Sequence, residues 1–491
     1  MEWTCPFPFV RVSGRIPADI YTTLVNTLRY RPKDYRFRWA YQHHTWDGYE
    51  SLLVTEPGTK ATVFPIGVVP RVRQALGSRI GYLIPAALGG PTPLPIPAVP
   101  TTLPNGTVLR PEQVTALGAA LTTQRGLLHL SVNFGKTLII AGIATAWPNS
   151  RVVILLNRRT LLEQTTRDLR DFLQEPIATW GAGGYQPRAG ARILVAMVQS
   201  ANPGDPHWAK WREAPILLVD EAHTISPIQW FPILGSSQAT VRLGMSGSLL
   251  DVPIPLLPEA FLGPVFHTVQ DQALAEAGRS ADLTVYMPRV TGFDAAGDAF
   301  RDVYETGIVK NDRRNRVLVD LILLCARAAC RTLVLVAALK HGDALLRACE
   351  AQGLRGAWLH GSTPLPEIER ALGALTARRL DVLIASTIFS SGINIPEADV
   401  LINAAAWKSP LATGQKRGRI IRLKPWNPNK AILIDPYDIG HPWLERHSLA
   451  RKRLYAKKGS PVIVGSQPEI TEAVRAELSS WGRTLENVTG I

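Results

Sequence analysis

The sequence predicts an α/β protein: two parallel-sheet domains in tandem, preceded by a small N-terminal α+β module. Three observations carry this expectation. The chain has 491 residues, room for about three domains at ~150 residues each. Short apolar runs alternate twice over with amphipathic stretches of helical period, the pattern of buried strands joined by crossover helices. A Pro-rich stretch at 89–106 separates this double series from what precedes it and reads as an extended linker.

Residues 1–88 are assigned to the N-terminal module. Bases and aromatics interleave between 35 and 54, with a turn at Asp47-Gly48 between strand-like segments, and 64–73 leads into a basic helix. Such residues can grip phosphate and stack bases, although Trp and Tyr also serve a small domain's core. His43 and His44 lack a further ligand set and read as packing or exposed side chains.

In the first α/β domain, assigned to 107–285, runs at 127–130, 152–156, 193–196 and 216–219 are expected as strands, and 137–147 and 160–172 as helices. A less regular stretch follows around 250–300. In the second, assigned to 286–460, helices are expected at 311–329, 342–351 and 411–421, and strands at 332–336, 382–385, 400–403 and 431–434. The basic stretch 445–458 either follows a phosphate backbone or packs Leu449, Leu454 and Tyr455 on the core with its bases solvated. Residues 461–491 are expected to be a tail with one short helix, 470–481. A cleft between the two α/β domains is the expected ligand site.

Lys and Arg number 54 against 40 Asp and Glu, a net charge of +14 that favours a polyanionic partner. The most apolar region, 317–339, is broken by Asp320, Arg327 and Arg331, which a membrane span would not carry cheaply. The N-terminus lacks the pattern of a signal peptide. Cys5, Cys325, Cys330 and Cys349 show neither a Cys-x-x-Cys pair nor zinc spacing. Together these predict a soluble, cytoplasmic protein without a membrane partner; a monomer is the expected state.

The chemistry concentrates in two places. An apolar run ends in Gly135-Lys136-Thr137 and opens a helix: backbone N–H groups would face phosphates, Lys136 would reach the β- and γ-oxygens, and the Thr137 hydroxyl would hold Mg²⁺. Leu130 stands where a full phosphate-loop pattern has its first Gly. Downstream, another apolar run ends in Asp220-Glu221-Ala222-His223; two adjacent carboxylates at a strand tip can hold the metal and activate a water.

These residues resemble the superfamily 2 helicases and translocases, and further motifs follow in the family's order across roughly 107–440. Leu109-Arg110-Pro111-Glu112-Gln113 is similar to the segment whose Gln reads adenine. Leu156-Asn157-Arg158-Arg159-Thr160 through Gln164 resembles the first nucleic-acid-contacting motif, and Met245-Ser246-Gly247-Ser248 the coupling motif. Ala385 to Pro396 is similar to the fifth motif, with Asn394 where Asp is commoner, and Gln415 to Arg422 to the sixth. Independently of the family, Arg419 and Arg422 are three apart and so share a helical face.

The resemblance implies two tandem RecA-like domains and ATP with Mg²⁺ as cofactors. Catalytic roles fall to Lys136, Glu221, Arg419 and Arg422. Gln113, Gly135, Lys136, Thr137, Asp220 and Gly392 would bind nucleotide, with Thr137 and Asp220 on Mg²⁺. Coupling falls to His223, Ser246 and Ser248, and nucleic-acid contact to Arg158, Arg159, Gln164, Ser390 and Ser391. The pairing of Trp46-Asp47-Gly48 with Phe64-Pro65-Ile66-Gly67 looks like the N-terminal module of phage UvsW-type helicases, which implies branched, duplex or single-stranded DNA as the partner. An RNA helicase is the alternative within the family. A nucleic-acid-binding protein whose degenerate nucleotide site acts as a switch is the alternative outside it.

Overall fold

The computed structural model describes residues 2–32, 34–77, 92–131, 134–249, 254–270, 278, 280–291, 299–386, 398–406, 420, 424 and 427–483. The chain divides into two compact units, Met1–Val269 and Gln270–Ile491. Each contains one open parallel sheet, as the alternating pattern predicted.

In the first unit the sheet runs, edge to edge, Gly184–Gln186, Ile177–Gly181, Ile193–Met197, Val152–Leu156, Ile216–Asp220, Val241–Ser246, Arg125–Leu130, Val265–Val269. Its pairings are parallel except at the first edge, where 184–186 turns back on 177–181. All five residues of Val152–Leu156 and of Ile216–Asp220 are buried, because helices cover both faces of the sheet. Strands 216–220, 241–246 and 125–130 are neighbours, so their carboxyl ends open on one side, where open α/β sheets place their ligands.

The N-terminal region builds an antiparallel sheet in the order Glu2–Thr4, Phe9–Ser13, Thr62–Pro65, Val54–Thr55, with helices Ala18–Leu28 and Val69–Leu76. It is not a separate body. Val10, Leu24, Phe64 and Val72 belong to one continuous core with Trp208, Trp230 and Phe261 of the α/β domain. Phe9 meets Phe261 edge-on at 5.5 Å, and Arg71 makes two 2.8 Å hydrogen bonds to Glu259. The approach is closest at Gly67, where a Cβ would stand 2.0 Å from the Glu259 carbonyl oxygen. The turn at Asp47-Gly48 is present, with Gly48 at φ +84° and the Tyr49 N–H donating to Asp47 Oδ1. It does not join two strands: Trp39–Gln42 before it is helical, and Glu50–Ser51 pairs with Arg29–Tyr30.

The described part of the Pro-rich segment carries neither helix nor strand over 92–100, yet it is fastened. Gln124 accepts from the Leu94 N–H and donates to the Leu94 carbonyl, and the Trp147 indole donates to Pro95 O.

The second unit's sheet runs Gly356–Leu359, Val382–Ser386, Thr332–Val336, Val400–Asn403, Lys430–Ile434, Asp282–Val290, with Tyr437–Asp438 and Val462–Gly465 both paired to 282–290. Cys325, Cys330 and Cys349 are buried in its core. Three sequence expectations are corrected here. The irregular stretch at 250–300 holds helix Leu256–Leu262 and strands Val265–Val269 and Asp282–Val290, so the expected boundary at 285/286 falls inside a strand of the second sheet. The expected tail supplies strand Val462–Gly465 and helix Gln467–Ser480, whose Ile470, Val474 and Leu478 are core residues. In helix Pro442–Lys457 the buried face is Leu444, Ser448, Arg451 and Tyr455, so Arg451 is interior rather than solvated. The expected helix at 411–421 lies outside the described residues apart from Ile420.

Candidate active site

Strand Arg125–Leu130 delivers the chain to Gly135 and helix Lys136–Ala146. Gly135 has φ +94°, a conformation side chains rarely adopt, and a Cβ there would meet Gln113 Nε2 at 2.7 Å. Glycine is needed on both counts. The loop is braced from below: Gln113 Nε2 and Arg110 Nη2 both donate to the Phe134 carbonyl, at 2.7 and 2.6 Å, and Gln113 Oε1 accepts from the Arg110 N–H. Gln113 is thus buried with both ends of its amide on backbone. These bonds make it a brace of the loop that precedes Lys136.

Strand Ile216–Asp220 ends on the two carboxylates. Asp220 is buried and accepts from the Glu221 N–H at 2.8 Å. Glu221 sits at φ +51°, a strained backbone for a non-glycine residue, of order 1–2 kcal/mol. Its Oε1 lies 2.9 Å from Lys136 Nζ, and its Oε2 lies 3.1 Å from His223 Nδ1. His223 Nδ1 is also 2.7 Å from the hydroxyl of Ser246, which is buried at the end of strand Val241–Ser246. That hydroxyl reaches Glu221 Oε2 at 3.4 Å and accepts from the Ser248 N–H at 3.1 Å. Lys136, Glu221, His223, Ser246 and Ser248, assigned from separate stretches of sequence, therefore form one bonded cluster.

The charges in the cluster act on one another. Burial, reinforced by the neighbouring Glu221, pushes Asp220 up to about 6. Burial works the same way on Glu221, but Lys136 and His223 overcome it and hold its carboxyl well below the ordinary range. Lys136 mirrors this: burial favours its neutral form, and Glu221 and Asp220 hold it charged.

Thr137 and Asp220 offer a hydroxyl and a carboxylate, hard oxygen donors of the kind Mg²⁺ takes alongside waters and phosphate. No group of three or more His, Cys, Asp or Glu suited to a metal occurs among the described residues.

Arg158 follows strand Val152–Leu156, next to strand 216–220. Burial lowers its pKa while the Glu221 charge opposes that, so its guanidinium lies within the field of the active site. Arg159, expected to touch nucleic acid, is exposed and pairs with Glu163 one helical turn on. Gln164 lies on the same helix, Arg159–Leu173. Gly392, Ser390, Ser391, Asn394, Arg419 and Arg422 lie outside the described residues. Three residues were given no role in the sequence reading. Arg110 and Phe134 act through a side-chain-to-carbonyl bond that no motif advertises. His129, buried in the strand before the loop, bonds the Gly247 carbonyl at 3.1 Å, and its one signal was a histidine inside an apolar run.

In the N-terminal region several arginines are engaged with rings and carboxylates. Arg29 and Arg31 each lie 4.4 Å from the Tyr49 centroid, and Arg38 bonds Asp34 and Glu50. Phe37 and Trp39 remain 82% and 66% exposed, Trp39 stacked on His43 at 4.2 Å.

A family model described as "Type III restriction enzyme, res subunit" matches residues 107–250, and one for the "Helicase conserved C-terminal domain" matches 313–424. The first covers the Lys136–Glu221–Ser246 cluster. In chain order they are the two sections of a superfamily 2 core, and the chain belongs to the superfamily 2 helicases, a family of nucleic-acid-dependent ATPases. Among curated proteins it is 23% identical over 337 residues to a "DNA 3'-5' helicase XPB" of Kineococcus radiotolerans, across 65% of this chain; it spans 58% of that relative's length. Among solved structures, the DNA-bound "ATP-dependent Type ISP restriction-modification enzyme LlaBIII" shares the fold at 15% identity and TM-score 0.54, over 78% of this chain and 33% of that one. T4 UvsW is matched over 95% of this chain and 99% of its own at 18% identity and TM-score 0.45.

Proposed function

We propose that the chain is an ATP-dependent DNA helicase or translocase. The observation that carries this reading is the bonded cluster at three adjacent strand ends. It joins the group that would meet the phosphates, Lys136, to the group that would activate water, Glu221, and joins both through His223 to Ser246.

Bound ATP·Mg²⁺ supplies the scissile phosphoanhydride and a Lewis acid; the residues do the rest. Lys136, freed from Glu221, neutralises β- and γ-oxygens, and Thr137 with Asp220 holds the metal. Released from its ion pair, Glu221 orients a water and takes its proton. His223 and Ser246 then report the altered position of Glu221 to the Ser246-Gly247-Ser248 segment. Arg419 and Arg422 are proposed to neutralise charge developing on the γ-phosphate, and Gly392 to contact nucleotide. Arg158, Arg159, Gln164, Ser390 and Ser391 are proposed as backbone contacts to nucleic acid.

DNA is favoured over RNA by the curated relative that aligns along most of the chain, a DNA helicase by its name. Remodelling of branched DNA rests on the UvsW-like N-terminal residues, with Phe37 and Trp39 exposed for stacking. The test is ATP hydrolysis and strand displacement with single-stranded, duplex and forked DNA and with RNA. Stimulation by DNA with fork displacement supports the reading; stimulation by RNA alone, or by none of them, overturns it.

A further inference from the structure

We propose that the second unit carries a single-stranded nucleic-acid platform built from Phe300, Trp443 and His447 and the basic stripe Arg446–Arg453–Lys457, apart from the family's motif contacts.

The helix Pro442–Lys457 contains five Lys or Arg and one carboxylate, Glu445. Leu444, Ser448, Arg451 and Tyr455 form its buried face, which fixes the rotation of the rest. Arg451 is spent on the interior, bonded to Asp435. Arg446, Arg453 and Lys457 are spaced by seven and four and stand exposed on one line. At 1.5 Å rise per residue the line is about 16 Å long, enough to follow several phosphates. Arg446 keeps its place by donating to the Pro442 carbonyl.

At the helix's N-terminal end this line meets rings. Phe300, 39% exposed, packs 5.7 Å from Trp443 at 29° and 5.7 Å from His447, with Tyr304 5.9 Å away. Trp443 and Arg446 are three apart, so rings and bases adjoin on the surface. The cluster is anchored rather than draped. Tyr304 donates to the Ala405 carbonyl, just past strand Val400–Asn403, and His441 caps the helix by accepting from the Trp443 N–H. Both anchors stand at the carboxyl edge of the second sheet, where open α/β sheets take ligands.

The chemistry selects the partner. The exposed Phe300 ring, with Trp443 and His447 partly exposed beside it and a row of cations along the helix, matches unpaired bases on a phosphate backbone, and a duplex hides the base faces such rings would stack on. The proposal deepens the nucleic-acid reading above and rests on it for its context, but it concerns binding and is tested without ATP.

The test is equilibrium binding of the full chain to fluorescent oligodeoxythymidylate and to a blunt DNA hairpin over a salt series. Phe300→Ala and Trp443→Ala should each weaken oligodeoxythymidylate binding by about tenfold and hairpin binding far less. Trp443→Phe should restore it. The triple variant Arg446→Ala, Arg453→Ala, Lys457→Ala should lower the slope of log K against log salt by about two. Phe300→Ala removes a surface ring, and melting curves confirm the fold of each variant. Parental affinity in both folded alanine variants overturns the proposal, as does equal loss on oligonucleotide and hairpin. Failure of DNA to stimulate ATPase, with these binding losses intact, would overturn the helicase reading and leave the platform standing.

Discussion

Glu221 Oε1 lies 2.9 Å from Lys136 Nζ, so the base expected to activate water and the cation expected to meet the phosphates neutralise each other before substrate arrives. A half-buried ammonium and a half-buried carboxylate each carry a desolvation cost that the pair offsets. On the proposed reading, nucleotide phosphates would replace Glu221 on Lys136, and that exchange would free the carboxylate at the moment a γ-phosphate is present. The strained backbone of Glu221, φ +51°, is tolerable because three partners hold the side chain.

The phosphate loop depends on its glycine. Gly135→Ala adds a Cβ at φ +94° and 2.7 Å from Gln113 Nε2, and should cost about 1–2 kcal/mol locally and weaken ATP binding roughly tenfold. Titration with a fluorescent ATP analogue checks this. Gln113→Ala, which removes the brace on Phe134, should weaken binding in the same direction while the global melt changes little.

Docking of the N-terminal region depends on another. A Cβ at residue 67 would stand 2.0 Å from the Glu259 carbonyl, so Gly67→Ala should force the region off its seat and cost about 1–3 kcal/mol. Limited proteolysis should release an N-terminal fragment sooner than from the parent. Release at the parental rate would mean that the contact adapts freely.

The second unit holds a fully buried charge network: Arg314 on Asp438, Arg451 on Asp435, and the Tyr455 hydroxyl on Asp435. Arg451→Met leaves Asp435 without its cation in the interior and should destabilise by about 3–5 kcal/mol in denaturant unfolding. Tyr455→Phe, which removes one hydrogen bond from the same carboxylate, should cost about 1–3 kcal/mol.

Acid sensitivity should have an identifiable source. Burial, with the Arg314 guanidinium alongside, holds the His341 imidazole down at about 3, and its Nε2 lies 2.9 Å from Asn315 Oδ1. Unfolded, the same ring titrates near ~6.5, so between those values the unfolded chain binds the extra proton. Stability from this group is complete above ~6.5 and is lost as pH falls toward 3. Melting temperature against pH should be flatter across that window for His341→Gln than for the parent.

Much of this was legible in the sequence, for physical reasons particular to each element. Val152–Leu156 and Ile216–Asp220 are buried on both faces and so read as unbroken apolar runs. Gly135-Lys136-Thr137 and Asp220-Glu221 declare themselves because phosphate and metal chemistry needs those groups in sequence order. The bonds from Gln113 and Arg110 to Phe134 were not legible, since they join residues more than twenty apart through a backbone carbonyl. Arg451 misled because a basic residue normally faces water, and only the tertiary placement of Asp435 and Asp438 makes its burial affordable. Strand Val462–Gly465 was missed because its apolar run, Val462 to Val464, is only three residues long between Ser460-Pro461 and Gly465-Ser466, while its pairing to 282–290 is long-range.

The central claim is that Lys136 and Glu221 divide binding from hydrolysis, and ATP binding measured beside DNA-stimulated hydrolysis in Lys136→Ala and Glu221→Gln tests it most directly. Glu221→Gln should bind ATP at least as tightly as the parent and hydrolyse it at least a hundredfold more slowly, on the order of what a lost general base costs, whereas Lys136→Ala should lose binding and hydrolysis together. Hydrolysis at the parental rate in either variant, with the fold intact, would contradict it.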